Sequence, residues 1–439
     1  MKNSFYNLYT SCPQGVLCFN TNSDNYIIIS ETTYNLLQNK LYNHIKSSLL
    51  ETLINNKFII EDDIDEYKEL IKGYHSIDSF GSYFLTLLPS LDCNVRCWYC
   101  FEKHVVGSHM TPIQLNAILK YAQHILDRGD IERLYFTLFG GEPMLYFKEE
   151  VYPLLIKIKE YAISCNKKFQ TTIVTNATLI SEEIIPLLAE LNATFQISID
   201  GYREKHNSIK KSSEIKEGTY DVVMKAIHQL TNAYDTLINL RINYDNQTFK
   251  HLHDVFEDIQ DIDRKKIKIH LERVWQTQPN NSNNSTELRD IINAFLSQGF
   301  SLTYLNFNRR NYSCLMDLKN EAVLSYNGDV YRCTGRDFTE NHKEGMLIPE
   351  GIIKWNEQKA TKRLSIKTYD NEKCRECKLL PQCWGPCSQK QLEHLDNIKQ
   401  RCPLNALELS MDDYIQYRFN NEFISLRNYG KEKPIELLK

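Results

Sequence analysis

Long apolar runs are missing from this 439-residue sequence. No stretch approaches 18 consecutive apolar residues, so no membrane-spanning helix is expected. An excess of charge of either sign is missing too. Lys and Arg number 52 and Asp and Glu 56, a formal net charge of −4. That balance gives no electrostatic basis for binding nucleic acid or an anionic membrane surface. The opening residues MKNSFYNLYTSCPQGVLCF lack a basic region followed by an apolar one, so no secretory signal is read there and a cytoplasmic location is expected. No segment repeats at a fixed period. Cysteine, by contrast, is plentiful. The chain has 13, and in a reducing compartment these read as metal ligands before disulfides.

The length suggests two to four domains. Residues 1–80 read as a small α+β unit: GVLCFNTNSDNYIIIS gives two short strands around a polar turn, and helical and short extended segments follow. This order resembles a winged-helix-like peptide-binding module, with a packing extension of the main domain as the other reading. From residue 81 to 304, strands alternate with helices. YFLTLLP, LYFTLFG, FQTTIVT, TFQISID, LINLRINY and IKIHLERV are the strand runs. Six such units imply a parallel sheet covered on both faces. They fall short of a closed eight-fold barrel, so the expected fold is α/β, a partial (β/α)6 barrel with its chemistry at the C-terminal strand ends. The Asn-rich stretch at 276–288 reads as a loop and a boundary. Residues 305–410 hold seven cysteines, and 411–439 read as a C-terminal helix and tail.

The segment LPSLDCNVRCWYCFEKH, residues 88–104, places Cys93, Cys97 and Cys100 within eight positions at the end of the first strand. Structural zinc takes four protein ligands, as does an iron–sulfur cube that only carries electrons. Three thiolates in one loop suggest a [4Fe–4S] cluster with one corner open; zinc with a distant fourth ligand and unliganded cysteines are the alternatives. At the second strand end, LFGGEP offers Gly140, Gly141, Glu142 and Pro143: glycines let backbone approach a ligand, and Glu142 adds a carboxylate. Asn176 ends the third strand, Ser198 and Asp200 the fourth, Arg241 and Asn243 the fifth, and Leu271 lies at the sixth.

The C-x3-C-x2-C spacing with Tyr99 before the last cysteine, followed by GGEP at the next strand end, resembles the radical S-adenosylmethionine (radical SAM) superfamily. The resemblance implies that Cys93, Cys97 and Cys100 carry the catalytic cluster. It implies further that Gly140, Gly141, Glu142 and Pro143 meet the methionine end of SAM, and that Ser198 meets its ribose. Arg241, Asn243 and Leu271 would then face the adenosine side, with Tyr99, Asn176 and Asp200 also in the cofactor site. Lys210 stands where the family often has Arg; it keeps the charge but loses the bidentate fork. The implied chemistry is one-electron cleavage of SAM to a 5′-deoxyadenosyl radical that removes hydrogen from an unactivated C–H bond.

Cys374, Cys377, Cys383 and Cys387 read C-x2-C-x5-C-x3-C; Cys314 and Cys333 bracket Gly328 as C-x13-G-x4-C, and Cys402 follows. This order resembles the SPASM extension of radical SAM enzymes; a zinc ribbon would explain only Cys374 and Cys377. The resemblance implies two auxiliary [4Fe–4S] clusters, an outer one on Cys374, Cys377, Cys383 and Cys402 and an inner one on Cys314, Cys333 and Cys387. No cysteine lies between Cys314 and Cys333, which leaves the inner cluster either open or completed by another ligand such as Asp317. Cys165, inside an amphipathic helix, reads as a buried structural thiol; Cys12 and Cys18 stay unassigned.

Two SPASM branches fit. Anaerobic sulfatase-maturating enzymes typically carry an Asp directly after the position of Cys333; here Thr334 stands there and the next Asp is Asp337. Peptide maturases carry an N-terminal unit that captures a leader peptide by strand addition. The expected function is therefore modification of a ribosomally synthesised precursor peptide with a leader, using SAM, three [4Fe–4S] clusters and a reducing donor such as flavodoxin or ferredoxin. Nucleic acid and membrane are not expected as partners. A non-catalytic iron–sulfur redox sensor or scaffold is the reading from another class.

Overall fold

The computed structural model describes residues 1–74, 81–277, 284–305, 307, 312–394 and 401–430. The expected boundary at residue 80 and residues 278–283 of the Asn-rich loop lie outside these residues. Strands β1 (Ser82–Leu88), β2 (Arg133–Leu138), β3 (Lys168–Thr175), β4 (Thr194–Ile199), β5 (Ile238–Tyr244) and β6 (Ile267–Arg273) pair in chain order, all parallel. Helices connect them. The first, Pro112–Leu126, begins with a reciprocal capping box between Thr111 and Gln114 and a proline in its first turn. The polar stretch ends sooner than its composition suggests, because a helix starts at Asn284 and runs to Ser297.

The strands are not apolar on both faces. Leu134, Phe136 and Leu138 are buried among the surrounding helices, whereas the alternate positions Arg133, Tyr135 and Thr137 are only half-buried. The same alternation runs through β6, where Ile267, Ile269 and Leu271 are core and Lys268, His270 and Glu272 are not. Side chains alternate with period two along a strand, so one face of the sheet packs on helices and the other lines a polar interior.

The sheet also extends past the six expected strands. β7 (Leu302–Tyr304) adds in parallel outside β6, and β8 (Glu321–Ser325) adds in parallel beside β1. β9 (Asp329–Tyr331), β10 (Gly345–Ile348) and β11 (Ile352–Trp355) then continue it antiparallel, to eleven strands. Chain from the cysteine-rich region thus covers the edge that β1 would otherwise expose.

The N-terminal unit holds a three-stranded antiparallel sheet, Asn7–Cys12, Gly15–Asn20 and Asn25–Ile29, and the expected short strand at Ile59–Ile60 pairs with Lys2–Asn3; Asn7–Cys12 and Lys2–Asn3 are additions to the expected strands. Helices Glu31–Gln38, Ser47–Asn55 and Glu66–Tyr74 follow. Val16, Cys18, Ile27 and Ile29 face the first two of these helices, while the third packs against Tyr369, Leu380 and Trp384. Leu17, Phe19 and Ile28, one position out of phase, pack on Ile415 of the C-terminal helix Met411–Asn428. Asn25–Ile29 is an edge strand, paired on one side only. Cys18 is a core thiol of this unit, while Cys165 is a half-buried helix C-cap rather than a core residue. No helix among the described residues is long and apolar enough to cross a membrane.

Candidate functional site

The loop after β1 is held open by its own polar groups. Buried Ser90 donates to the Ser108 carbonyl (2.7 Å), and Ser108 Oγ accepts from Leu91 N–H (2.9 Å). Asp92 accepts from Cys93 N–H and Gly107 N–H, both at 2.8 Å. Val95–Arg96 pairs antiparallel with Lys211–Ser212, which fastens the middle of the cysteine loop to the chain beyond β4. The three thiols face the same cavity at the strand ends. Burial, then Glu142, pushes the Cys93 thiol up to about 12, and burial raises Cys97 and Cys100 as well. A free thiolate is disfavoured in such a place, so cation binding there must displace protons.

Gly140 and Gly141 both have left-handed backbone (φ +78° and +49°). A Cβ on Gly141 would stand 2.0 Å from the Asp92 carbonyl, and one on Gly140 would stand 2.8 Å from Leu88 Cδ2. Only glycine lets this turn reach the cysteine loop, where Glu142 N–H donates to Asp92 O at 2.8 Å. Glu142 is fully buried. It accepts from Thr175 Oγ1 (2.7 Å), Asn176 N–H (2.8 Å) and Met144 N–H (3.0 Å), which ties the β2 end to the β3 end. A carboxylate accepts about four hydrogen bonds, and the chain itself supplies three of them here. Asn176 donates to Asn94 Oδ1 (2.9 Å) and lies 3.9 Å from the Cys93 sulfur.

Beneath the loop is a charged network. Tyr99 donates to Asp200 Oδ1 at 2.5 Å, and Asn243 donates to both Tyr99 OH (2.9 Å) and Asp200 Oδ1 (3.2 Å). Buried Lys210 donates to Ser198 Oγ (2.9 Å), and its ammonium is 3.8 Å from Asp200 Oδ2. Burial works against that ammonium, but Asp200, Cys97, Cys93 and Glu142 outweigh it and raise its pKa. Lys210 is therefore the cation set against the thiols. Behind it, His206 accepts from Asp200 N–H (3.3 Å) and is pushed down to about 2 by burial and then by Lys210, so it is neutral.

The structure brings Cys93, Cys97, Tyr99, Cys100, Gly140, Gly141, Asn176, Ser198, Lys210, Arg241 and Asn243 together on one cavity wall. Glu142, Pro143 and Asp200 stand behind it. Leu271 is not there. At 1% exposure it is part of the core on the helix-facing side of β6, and the cavity is lined instead by the last residue of that strand, Arg273, and by Val274 to Gln276 just past it. Glu102 was not anticipated either. Its Oε2 accepts from Gly141 N–H at 2.6 Å, and burial raises it to about 7. Its position directly after the cysteine motif was the available signal. Trp98 and Trp275 are 60% and 70% exposed, and Trp275 borders the opening.

Seven further cysteines lie in the cysteine-rich region. Burial, then Cys387, Asp317 and Cys333, pushes Cys314 up to about 12. Burial, then Cys374, Cys377 and Cys402, does the same to Cys383. Asn371 caps the short helix bearing Cys374 and donates to its sulfur at 3.1 Å. Gly385 (φ +82°) lets the chain pass 2.2 Å, measured from a hypothetical Cβ, from the Thr368 carbonyl. Among the described residues no three His, Cys, Asp or Glu side chains converge tightly enough for a single metal ion.

Residues 87–259 match the model of the radical SAM superfamily. The cysteine-type anaerobic sulfatase-maturating enzyme of Clostridium novyi is 22% identical over 336 residues, 70% of this chain and 88% of that protein. The radical SAM cyclopropyl synthase TigE of Paramaledivibacter caminithermalis is 23% identical over 406 residues, 79% of this chain and 82% of that protein. Among solved structures, anSMEcpe with bound AdoMet and Cp18Cys peptide matches with a TM-score of 0.59 at 19% identity, covering 80% of this chain and 99% of that one. Streptococcus suis SuiB bound to its precursor peptide SuiA matches at 0.50 and 17%, covering 92% of this chain and 97% of that one. At these identities the likeness is one of fold.

Proposed function

Residues 87–259 of this chain are a radical SAM domain, and we propose that the chain uses it to modify a ribosomally synthesised precursor peptide. The donor set fits the cofactors. Three thiols without a fourth ligand suit a [4Fe–4S] cluster with one free iron. The side-chain-free turn at Gly140–Gly141 gives SAM backbone to lie against. When bound, the reduced cluster and SAM together supply a 5′-deoxyadenosyl radical able to abstract hydrogen from an unactivated C–H bond. The chain's own part is positioning. Lys210 balances the thiolates, Ser198, Asn243 and Arg241 orient the nucleoside, and the Asp200–Tyr99 bond fixes the cysteine loop against β4 and β5. Orientation matters because small displacements redirect a reaction.

The observation that carries the peptide reading is the N-terminal unit, whose strand Asn25–Ile29 is left as a sheet edge. An edge strand is what an extended leader needs in order to add a strand of its own. The SuiB fold also spans more of this chain than the anSMEcpe fold does, 92% against 80%, which accords with an accessory unit beyond the barrel. The sulfatase-maturating alternative is weakened because the cavity lacks the acid expected after Cys333. Thr334 is exposed, and neither it nor Asp337 lines the cavity. In this reading 1–80 is the leader-binding unit, 81–304 the barrel, 305–410 the auxiliary-cluster domain and 411–439 a helix and tail. Cys374, Cys377, Cys383 and Cys402 hold one auxiliary cluster and Cys314, Cys333 and Cys387 another. The protein works in the cytoplasm with a flavodoxin- or ferredoxin-like donor.

The test is to incubate the anaerobically reconstituted protein with SAM, a reductant and the short peptide encoded beside it. The expected result is 5′-deoxyadenosine release coupled to a peptide lighter by two hydrogens per crosslink by mass spectrometry, or of altered stereochemistry by chiral amino-acid analysis. Conversion of a sulfatase-derived cysteine peptide to formylglycine, with the neighbouring peptide untouched, would establish the alternative. Absence of SAM cleavage would favour a redox sensor or scaffold.

A further inference from the structure

We propose that the Asp317 carboxylate is the fourth ligand of the inner auxiliary cluster, completing the set Cys314, Cys333 and Cys387. The proposal rests on reading residues 305–410 as a cluster domain. Asp317 closes the 3₁₀ turn Leu315–Asp317 that begins at Cys314, with its N–H donating to the Cys314 carbonyl at 3.0 Å. Its Oδ1 accepts from the N–H of Ser388, the residue after Cys387, at 3.1 Å. The carboxylate therefore sits between the backbones that carry two of the three thiols. Its other oxygen, Oδ2, is buried and has no hydrogen-bond partner.

An unpaired buried carboxylate oxygen is costly, so it calls for a partner that the side chains do not supply. Three carboxylates lie between Cys314 and Cys333, and the other two each lie within 4 Å of a cation, although Glu321 Oε2 likewise has no hydrogen-bond partner. Glu321 Oε2 lies 3.5 Å from Arg332, and Asp329 is 2.7 Å from Lys343. The arginine nearest to Ser388 is also committed. Arg363 donates to Ser388 Oγ (2.8 Å), Gln389 Oε1 (2.8 Å) and Glu344 (3.0 Å). These bonds hold the Cys387–Gln389 segment in place; the same guanidinium attracts Asp317 through space but makes no hydrogen bond to Oδ2. Carboxylate oxygen is an established iron ligand type in proteins, and outer residues that lock a ligand's orientation are part of such sites.

Capping is the competing role. Oδ1 accepts from the first residue of the helix Ser388–Glu393, and a cap alone would explain that bond. Two variants separate the roles. Asp317→Asn keeps an oxygen for the cap and loses the anionic ligand. Asp317→Cys supplies a thiolate ligand and loses the oxygen cap. Both are made in the full chain with Cys93, Cys97 and Cys100 all changed to Ala, so that about eight irons per chain remain, all auxiliary. Electron paramagnetic resonance of the reduced clusters is recorded with and without cyanide as an exogenous ligand. The unsubstituted background and Asp317→Cys should be indifferent to cyanide, with a lower reduction potential in the cysteine variant because thiolate donates more charge. Asp317→Asn should change its spectrum and respond to cyanide. If Asp317→Asn loses iron, recovery of that iron in Asp317→Cys supports ligation, and no recovery overturns it. An Asp317→Asn spectrum identical to the background, with or without cyanide, overturns it as well. A background holding only about four irons would overturn the inner cluster and its ligand together.

Discussion

Replacing Gly141 by Ala tests how the SAM site is built. The new Cβ would sit 2.0 Å from the Asp92 carbonyl oxygen, 2.8 Å from the Asp92 carbonyl carbon and 2.9 Å from the Leu91 carbonyl carbon, all backbone. No flexible side chain is available to yield, so the turn and the cysteine loop must part by about 1 Å, a misplacement that can cost on the order of 100-fold in rate. The stability cost has three sources: left-handed backbone at a non-glycine residue, overpacking, and the lost bond from Glu142 N–H to Asp92 O. Together they come to about 3–5 kcal/mol. Gly129→Ala is the control, since a Cβ there meets nothing within 4 Å. Reductive SAM cleavage by the reconstituted protein, with urea unfolding alongside, reads both effects. Wild-type cleavage and stability in Gly141→Ala would refute the idea that backbone contact between these two loops shapes the site.

Changing Cys93, Cys97 and Cys100 together to Ala should remove about a third of the iron, if three cubane clusters are present, and all SAM cleavage; retained cleavage would mean the catalytic cluster is elsewhere. Lys210→Met should cost about 3 kcal/mol, because it leaves buried Asp200 without its cation, and should weaken SAM binding by calorimetry; Lys210→Arg should keep most of both, and an equally stable Met variant would argue against the charge role. His206 is held near 2 in the folded chain against an ordinary value of about 6.5, so the unfolded chain binds a proton that the folded one refuses. That contribution to stability is complete above about pH 6.5 and is lost as the pH falls, by up to about 1.4 kcal/mol per unit. Urea unfolding between about pH 7 and pH 5 should show this slope and His206→Gln should flatten it; an unchanged slope would mean His206 is not the group responsible. Leader peptide should protect the backbone amides of Asn25–Ile29 from hydrogen exchange; protection elsewhere with none there would return the N-terminal unit to a packing role.

The strand ends were legible because the chemistry is local. A cysteine triplet, a Gly-Gly turn and a Ser or Asn just inside a strand are each contained in a few residues, and the alternation of strands and helices sets their order. What misled was reading the strands as apolar on both faces. Period-two parity corrects this. Leu271 shares a face with Ile267 and Ile269, both core, whereas Arg241 and Asn243 share the cavity-facing side of β5. The added strands had a local signal too. Asn327–Gly328 between EAVLS and DVY is a hairpin signature, and β8 and β9 pair around it. That β8 would then lie parallel to β1, more than 200 residues earlier, was not contained in any window of sequence.

Partnership between distant groups was the least legible property, and it is where the cluster sites are decided. The division of seven cysteines into two sets follows from spacing alone only through a family pattern. In the structure the turn after Cys314 meets the segment after Cys387 through a bond between Asp317 and Ser388, 71 positions apart. Lys210 likewise reaches its thiols from beyond β4 because Lys211–Ser212 pairs with Val95–Arg96. A short strand pair with little side-chain burial of its own would not be predicted from composition. Its value lies in carrying a buried ammonium to a place where Asp200, Cys97, Cys93 and Glu142 offset its desolvation. The same pairing that anchors the cysteine loop therefore also delivers its counter-charge, so a change that loosens Val95–Arg96 should weaken cluster retention and Lys210 placement together, not separately.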